Sequence, residues 1–204
     1  MFKRKMMPED MENLPLGQFP GKIVVVDSPG LKFAAAVRYL SKQKLIGFDT
    51  ETKPVFQRGQ KHHGVALLQL SGPDKAFLFR LHKMGLPARL CSKVLANPSV
   101  LKVGAASLDD VHGLQRLTPF KAAGFLDLQQ MVWEWGIEDK SVKKMAANIL
   151  GVRISKAQQC SNWEADTLSP PQQMYAATDA WVCREMYFKL LDSPKNPLKK
   201  EELV

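Results

Sequence analysis

Cysteine is scarce in this 204-residue sequence, and its spacing excludes two classes of small protein. Only three cysteines occur, Cys91, Cys160 and Cys183, and none belongs to a Cys-x-x-Cys pair. An odd number of widely separated thiols fits neither a disulfide framework nor a structural zinc site. We therefore expect the three thiols to be buried or incidental.

Long apolar runs are also missing, which argues against a membrane-spanning segment. The longest ones, such as residues 23–26 and 65–68, fall far short of the ~20 residues that a bilayer requires. The opening residues Met1-Phe2-Lys3-Arg4-Lys5 are not followed by the apolar stretch of a secretory signal. Hydrophobic residues nevertheless make up 45% of the chain, which is enough for one sizeable core. We expect a cytoplasmic protein with no membrane association.

Two motifs that bind nucleotide phosphates are absent from the sequence. No Gly-x-Gly-x-x-Gly follows a predicted strand, and no phosphate-binding P-loop occurs. A small-molecule enzyme of the NAD-binding type is therefore a poor explanation of this chain.

Acidic residues are missing from residues 75–102, where basic residues recur. The basic residues of this stretch are Lys75, Arg80, Lys83, Arg89, Lys93 and Lys102. The whole chain has a net charge of +9, from 29 basic and 20 acidic residues. Such an excess favours a polyanionic partner such as nucleic acid, because it raises the partner's local concentration and association rate. A solvated face without a partner explains the stretch equally well.

The spacing of apolar and turn residues predicts an α/β domain. Strands are predicted at residues 22–27, 45–52, 65–70, 76–79, 100–103 and 124–126. Helices are predicted at residues 31–40, 87–95, 108–117, 128–135, 142–150 and 170–191, with Ser28 capping the first and Ser169 the last. This order suggests a mixed β-sheet flanked by helices. We predict an extended arm at residues 1–20, one domain at 21–192 and a polar tail at 193–204.

Two acids end the predicted strand at residues 45–52. Side chains at i and i+2 leave a strand on the same face, so Asp49 and Glu51 should lie side by side. Like charges this close repel each other, which raises at least one pKa unless a cation neutralises the pair. Carboxylate oxygens are suitable ligands for Mg²⁺ or Mn²⁺. The plain alternative is that both acids face water at the end of the strand.

The last predicted helix carries a tyrosine and an acid four residues apart. Residues at this spacing share one helical face, so the Tyr175 hydroxyl and the Asp179 carboxylate should project into the same space. Neighbouring alanines, among them Ala176 and Ala180, would let the helix approach a sheet closely. A core tyrosine and a surface acid would give the same spacing.

A third acidic segment, Asp109-Asp110, follows a predicted strand and opens a helix. This topology commonly presents polar groups at the carboxyl edge of a sheet. Asp109 could equally be an ordinary first-turn acid that the helix dipole favours.

In this order, these segments resemble the tyrosine-bearing (DEDDy) branch of the DEDD superfamily of 3′–5′ exonucleases, which includes ribonuclease D and the Werner-syndrome exonuclease domain. The resemblance covers about residues 22–191, and its motifs are GFDTET (47–52), VALLQL (65–70) and YAATDA (175–180). The histidine-bearing branch would need histidine at position 174, where this chain has Met174. The resemblance implies a ribonuclease H-like (DnaQ-like exonuclease) fold, a mixed β-sheet flanked by helices.

The resemblance also implies a set of roles for the acidic residues. Asp49 would bridge two divalent cations, Mg²⁺ or Mn²⁺, and Glu51 and Asp179 would complete the first metal site. Asp110, chosen over Asp109 for its spacing from Gly104, would hold the second cation. Tyr175 would orient the water that attacks a phosphodiester bond at the 3′ end of DNA or RNA.

Candidate contacts to the nucleic acid are less well defined. Thr50, Lys156 and Trp163 are the candidates; Trp163 or Phe56 would stack on a base, although a core position for Trp163 is also open. Asn162 stands where relatives have an aspartate. We expect single-stranded 3′ ends to be preferred, and the sequence predicts no oligomeric state. The main alternative is a catalytically silent exonuclease-like nucleic-acid-binding module, and an endonuclease of related fold is a second.

Overall fold

The computed structural model describes residues 1–55 and 63–199, and the strands in these ranges form one six-stranded sheet. The strands are β1 (Lys22–Val26), β2 (Leu45–Thr52), β3 (Val65–Ser71), β4 (Lys75–Arg80), β5 (Leu101–Gly104) and β6 (Phe125–Asp127). The helices are α1 (Pro8–Glu12), α2 (Leu31–Leu40), α3 (Leu81–Met84), α4 (Ala88–Leu90), α5 (Ser107–Leu117), α6 (Leu128–Met131), α7 (Val142–Leu150) and α8 (Pro170–Leu191). A π-helical turn, Cys91–Leu95, continues α4, and a 3-10 turn, Val132–Trp135, continues α6.

The sheet is mixed, as predicted. Its strand order is β1-β4-β3-β2-β5-β6. Strands β2, β3 and β4 run antiparallel to their neighbours in that meander, whereas β1 pairs parallel to β4, and β5 pairs parallel to both β2 and β6. The carboxyl ends of β2, β5 and β6 therefore meet at one edge of the sheet.

Helices cover both faces of this sheet. On one face α2, α5 and the π-helical turn pack against the alternate residues of β2 to β4, among them Phe48, Leu70 and Phe79. On the other face α7 and α8 pack against the intervening residues and against β5. Leu45 of β2 and Val103 of β5 are buried there. Each strand thus contributes side chains to both cores. Because a shift by one residue would exchange the two faces, this packing fixes the position of the acids at the end of β2.

Close packing of α8 on β2 depends on Gly47. A Cβ atom built at Gly47 would lie 1.8 Å from the Ala180 carbonyl oxygen, so no larger residue fits between the strand and the helix. Helix α8 itself begins with a capping box, in which Ser169 accepts from the Gln172 amide and Gln172 accepts from Ser169. The helix is therefore fixed both at its start and at its crossing over the sheet.

The predicted elements are present, with five differences, one of which is the additional short helix α3 at Leu81–Met84. Gly30, not Ser28, stands at the N-cap of α2, because the chain is still extended at Gly30 and the helix begins only at Leu31. The predicted helix at 87–95 is mainly a π-helical turn, and the one at 128–135 is half 3-10 helix. A short helix, α1, lies within the segment that the sequence predicted to be extended. Gly151 does end α7 in the left-handed region, as its sequence position indicates.

The first 20 residues pack against the rest of the domain. Met6 and Phe19 are buried, and the Met6 amide donates to Asp139 at 2.6 Å. The Phe19 amide donates to the Thr178 hydroxyl at 3.1 Å, and Leu16 forms a parallel bridge with Arg153. The domain boundaries at residues 21 and 192 stay predictions.

The basic stretch at 75–102 does not form a continuous surface. Arg80 is buried and donates to the carbonyl oxygens of Ala165 and Asp166. Lys102 is buried as well, and its ammonium group donates to three carbonyl oxygens, those of Val94, Asn97 and Val100. These two cations therefore hold loops and helix ends, and only the others are available to a partner.

Among the residues that the structure describes, no helix is both long and apolar enough to cross a membrane. Cys91 and Cys183 are buried and Cys160 is exposed, and all three are free thiols.

Candidate metal centre and nucleic-acid cleft

Three carboxylates from two distant parts of the chain meet at the carboxyl end of β2. Asp49, Glu51 and Asp179 each offer an oxygen atom, and these oxygens lie within 4.8 Å of one another. Asp49 and Glu51 alternate with Thr50 along β2 and share the face that α8 covers. Asp179 directly precedes Ala180, the residue whose backbone lies against Gly47. The close contact between β2 and α8 is therefore what brings the three acids together.

The three carboxylates are crowded, and their protonation reflects this. Burial, reinforced by the charges of Asp179 and Asp110, raises the pKa of Glu51 to about 9. Burial also raises the pKa of Asp49 well above its usual range, with further contributions from the charges around it. The pKa of Asp179 rises to about 7, chiefly through burial, although a hydrogen bond from Tyr175 and the charge of Lys156 oppose the rise. The crowded carboxyls thus hold their protons more tightly than free ones, and the cluster would carry its full negative charge only with a bound cation.

Such a cluster fits a hard divalent cation. Its donors are all carboxylate oxygens, which are the ligands that Mg²⁺ and Mn²⁺ prefer. A cation would also remove the repulsion that raises these pKa values, so binding and deprotonation would favour each other. Asp49, Glu51 and Asp179 are the residues that would hold it.

Tyr175 lies one helical turn before Asp179 and faces the same space. Burial is the main cause that raises its pKa above the ordinary value, and the charges of Asp179 and Glu51 raise it further. Its hydroxyl donates a hydrogen bond to Asp179. Its ring packs at 5.9 Å, between centroids, from that of Trp163. Tyr175 therefore keeps its proton at neutral pH and is available as a hydrogen-bond donor.

Asp110 approaches the cluster from the other side of β2. Thr50 donates a hydrogen bond from its hydroxyl to the Asp110 carboxylate. Burial raises the pKa of Asp110 to about 6, while that hydrogen bond lowers it. Asp109 is exposed. The structure thus places Asp110, not Asp109, beside the other acids.

A positioning residue that sequence reasoning missed is Asp127, at the end of β6. Its two carboxylate oxygens accept from the backbone amides of Ala106 and Ser107, both at 3.1 Å, and so cap α5 just before Asp110. One of these oxygens also accepts from the Gln129 amide at the start of α6. The signal was its position at the end of a short strand beside β5, where parallel strands present polar groups.

A cleft of about 310 Å³ opens over the acids. Besides Asp49, Glu51, Tyr175 and Asp179, it is lined by Thr50, Ser141, Val142, Lys143, Ile154, Ser155, Lys156 and Gln159. The cleft thus has a negative floor and a wall with two lysines, an arrangement that suits metal ions below and a phosphate above.

The three predicted substrate contacts have different fates. Lys156 and Thr50 line the cleft, although Thr50 also holds Asp110. The prediction that Trp163 stacks on a base is wrong, because Trp163 is 0% exposed and packs beneath Tyr175 in the core. Phe56, the other stacking candidate, lies outside the described residues. Asn162 makes a local turn, in which its side-chain oxygen accepts from the Glu164 amide at 3.1 Å.

Residues 30–193 match the family model described as 3′–5′ exonuclease. The chain belongs to this exonuclease family. The matched range includes β2, α5 and α8, and so includes every acid of the cluster.

The exonuclease domain is similar to parts of longer proteins. It is 31% identical over 188 residues to the mouse bifunctional 3′–5′ exonuclease/ATP-dependent helicase WRN, covering 88% of this chain and 13% of that protein. It is 37% identical over 151 residues to the exonuclease 3′–5′ domain-containing protein 2 of Drosophila melanogaster, covering 72% and 25%. The chain thus spans at most about a quarter of these two relatives.

Solved structures share its fold. The Nibbler EXO domain of Aedes aegypti superposes with a TM-score of 0.73 at 27% identity, covering 86% of this chain and 91% of that one. Escherichia coli RNase D gives the same TM-score at 21% identity and covers 84% and 44%. The predicted ribonuclease H-like exonuclease fold is confirmed.

Proposed function

We propose that this protein is a metal-dependent 3′–5′ exonuclease of the tyrosine-bearing branch, which removes nucleotides from the 3′ end of DNA or RNA. The observation that carries the proposal is the convergence of Asp49, Glu51 and Asp179 within 4.8 Å. An isolated cluster of buried acids is costly to the fold, so its presence needs a function that uses it. Membership of the exonuclease family supplies the kind of reaction.

Two divalent cations, Mg²⁺ or Mn²⁺, would supply an activated water, stabilisation of the phosphate charge and a ligand for the leaving oxygen. Asp49, Glu51 and Asp179 would hold one of them, and Asp110 would take part in holding the other. The hydroxyl of Thr50 donates a hydrogen bond to the Asp110 carboxylate and so holds it in place. The protein thus contributes fixed oxygens whose geometry exists before the substrate arrives.

Tyr175 and two lysines position the reactants. Because its pKa is raised, the Tyr175 phenol acts as a donor that orients the attacking water, not as the base that deprotonates it. Lys143 and Lys156 line the wall of the cleft and would bind the phosphate backbone of the departing end. The cleft volume of about 310 Å³ supports entry of a single strand, so unpaired 3′ ends should react fastest. A cytoplasmic location remains a prediction.

The test is degradation of matched DNA and RNA oligonucleotides labelled at the 5′ end, with Mg²⁺, with Mn²⁺ and with EDTA. We expect a ladder that shortens from the 3′ end, only with metal, and no cleavage of circular single strands. Asp49→Asn should reduce the rate by at least about a thousandfold, because it removes a carboxylate from the cluster that would hold the cation. Asp109→Asn is the matched control, since Asp109 is an exposed neighbouring acid.

Three results would contradict the proposal. Cleavage of circular strands would indicate an endonuclease. Binding of oligonucleotides without any cleavage, in either metal, would indicate a silent binding module. Equal rates for Asp49→Asn and the unmodified protein would remove the carboxylate cluster from the mechanism.

A further inference from the structure

A basic groove lies between α2 and the edge of the sheet, remote from the carboxylates. Its volume is about 480 Å³. Five cationic side chains line it, from β1, α2, the turn after α2 and β4: Lys22, Lys32, Arg38, Lys42 and Lys75. No carboxylate is among the lining residues in the part of the chain that the structure describes. The floor between the two rows of charge is formed by Val24, Ala35, Tyr39 and Phe77.

The cations are distributed along the groove and not gathered at one point. Lys22 and Lys75 are register partners on the parallel pair β1 and β4, so their backbones lie about 4.8 Å apart. Lys32 and Arg38 lie on α2 and Lys42 lies in the turn after it; at the helical rise of 1.5 Å per residue the three would span about 15 Å. A nucleic-acid strand that rises about 3.4 Å per phosphate would place about four phosphates along this row. The groove thus matches a repeated negative charge and not a single anion.

These charges do not serve the fold. Lys22, Lys32, Arg38 and Lys42 are exposed, and their side chains make no ion pair or hydrogen bond with the described residues. Lys75 alone has partners, with its ammonium group over the Tyr39 ring and 3.7 Å from Asp74. Like charges gathered in a concave surface repel each other and cost stability. A polyanion would remove that cost.

The groove is separate from the catalytic cleft. Lys22, Val24, Lys75 and Phe77 project from the sheet face that α2 covers, whereas Asp49 and Glu51 project from the face that α8 covers. The groove also lies at the amino ends of β1 and β4, while the acids lie at the carboxyl end of β2. Strand β1 is three strand spacings, about 14 Å, from β2. A strand held in both places would have to cross from one face of the sheet to the other.

We propose that this groove is a second nucleic-acid-binding site, which holds the phosphate backbone of the strand whose 3′ end enters the cleft. It would be insensitive to sequence, because the Tyr39 hydroxyl is bonded to Asp74 and the face of its ring is covered by Lys75, so that no base is read there. The identity of the polymer rests on the proposed function. The binding itself does not depend on cleavage.

Equilibrium binding in EDTA tests the proposal without any hydrolysis. The probes are a single strand of about 30 nucleotides and a duplex of the same length, titrated against salt. In the variant K32A/R38A/K42A we expect the Kd for the single strand to rise about ten- to thirtyfold at 0.1 M salt. The slope of log K against log salt should fall by about 2, since each phosphate contact contributes about 0.7.

The matched control is R89A/K121A/K189A, which removes the same three charges from exposed positions that line neither the groove nor the cleft. It should retain the unmodified Kd to within about twofold and the unmodified salt slope, because general net charge contributes less than local contacts. Thermal melting of both variants checks that they are folded. Equal losses in the two variants, or no loss in the groove variant with either probe, would overturn the proposal. A loss confined to the duplex would overturn the assignment to the reacting strand.

The two proposals fail in different experiments. If K32A/R38A/K42A weakens binding but no metal-dependent cleavage is found, the protein binds nucleic acid without the exonuclease activity. Metal-dependent cleavage together with an unchanged Kd for K32A/R38A/K42A would support the exonuclease and exclude the second binding site.

Discussion

Tyr175 is the clearest case of a side chain whose chemistry is decided by its surroundings. It is flanked by acids on one side and by the buried Trp163 ring on the other. Both burial and neighbouring negative charge oppose ionisation of a phenol. The hydroxyl therefore contributes through a hydrogen bond, and its removal should affect the reaction and not the fold.

Tyr175→Phe should lower kcat on a labelled oligonucleotide by about 10- to 100-fold, the cost of removing one oriented donor. The affinity for Mn²⁺, measured by calorimetry, should not change, because the carboxylates remain and the ring still packs on Trp163. Tyr187→Phe is the control, since Tyr187 lies near the end of α8, packs partly buried against the core and does not line the cleft. A rate equal to that of the unmodified protein would exclude the orienting role.

The position of a side chain could be predicted from the sequence where it depends on neighbouring residues, and not where it depends on contacts with distant ones. Asp49 with Glu51, and Tyr175 with Asp179, follow from the local periods of a strand and a helix. Asp110 was chosen over Asp109 from its spacing to Gly104, and the Thr50 hydroxyl that bonds it belongs to another element, which the sequence did not predict. For Trp163 the sequence left a stacking role and a core position open; the core position is the correct one, and the contacts with the sheet and α8 that decide it are long-range.

Among the elements, β2 and α8 form the contact on which the site depends. Gly47 leaves room for the backbone at Ala180, and Asp179 is thereby held over Asp49 and Glu51. Small residues at such a crossing let a helix and a strand approach more closely than ordinary side chains allow. A change here should affect stability and metal affinity together.

Gly47→Ala should lower the free energy of unfolding by about 2–4 kcal/mol, because the added Cβ would overlap the Ala180 carbonyl oxygen and push α8 away. Thermal melting should show a fall in Tm of roughly 5–12 °C. Gly64→Ala is the matched control, since an added Cβ there would lie 3.7 Å from its nearest neighbour, in ordinary contact. If both variants melt with the unmodified protein, the close contact is not essential.

Element prediction succeeded where apolar periodicity was strong and failed where the hydrogen-bond pattern changed within a helix. The prediction for α8 was right from Pro170 to Leu191, because Ser169, Gln172 and the following prolines define its start. The turns at Cys91–Leu95 and Val132–Trp135 keep helical periodicity over a few residues, so sequence alone does not separate them from α-helix.

At the scale of the whole molecule, the acidic cluster links stability to pH and to metal. The pKa values of Glu51, Asp179 and Asp110 are raised to about 9, 7 and 6 in the folded protein. A raised carboxyl pKa means that the folded state binds protons more tightly than the unfolded state. The stabilisation is therefore complete below the unfolded pKa of about 4 and is lost as pH rises towards 9.

In EDTA we expect Tm to fall between pH 5 and pH 9, by about 5 °C, which corresponds to roughly 2 kcal/mol. Mn²⁺ should raise Tm at pH 8 and have little effect at pH 5, where protons compete with the cation. Asp49→Asn should melt at a higher temperature than the unmodified protein in EDTA at pH 8, because it removes a repelling charge. Melting curves that respond to Mn²⁺ equally at both pH values would contradict this linkage.

The docked amino-terminal segment has a practical consequence for anyone who expresses shorter fragments of this protein. Pro15 and Gly17 exchange backbone hydrogen bonds with Arg153, which lies three residues before Lys156, and Phe19 donates to Thr178, the neighbour of Asp179. A fragment cut at residue 21, where the sequence predicts that the domain starts, would release both flanks of the cleft at once. Fragments should therefore begin upstream of Met6, so that the effect of the missing segment is not mistaken for a property of the intact domain.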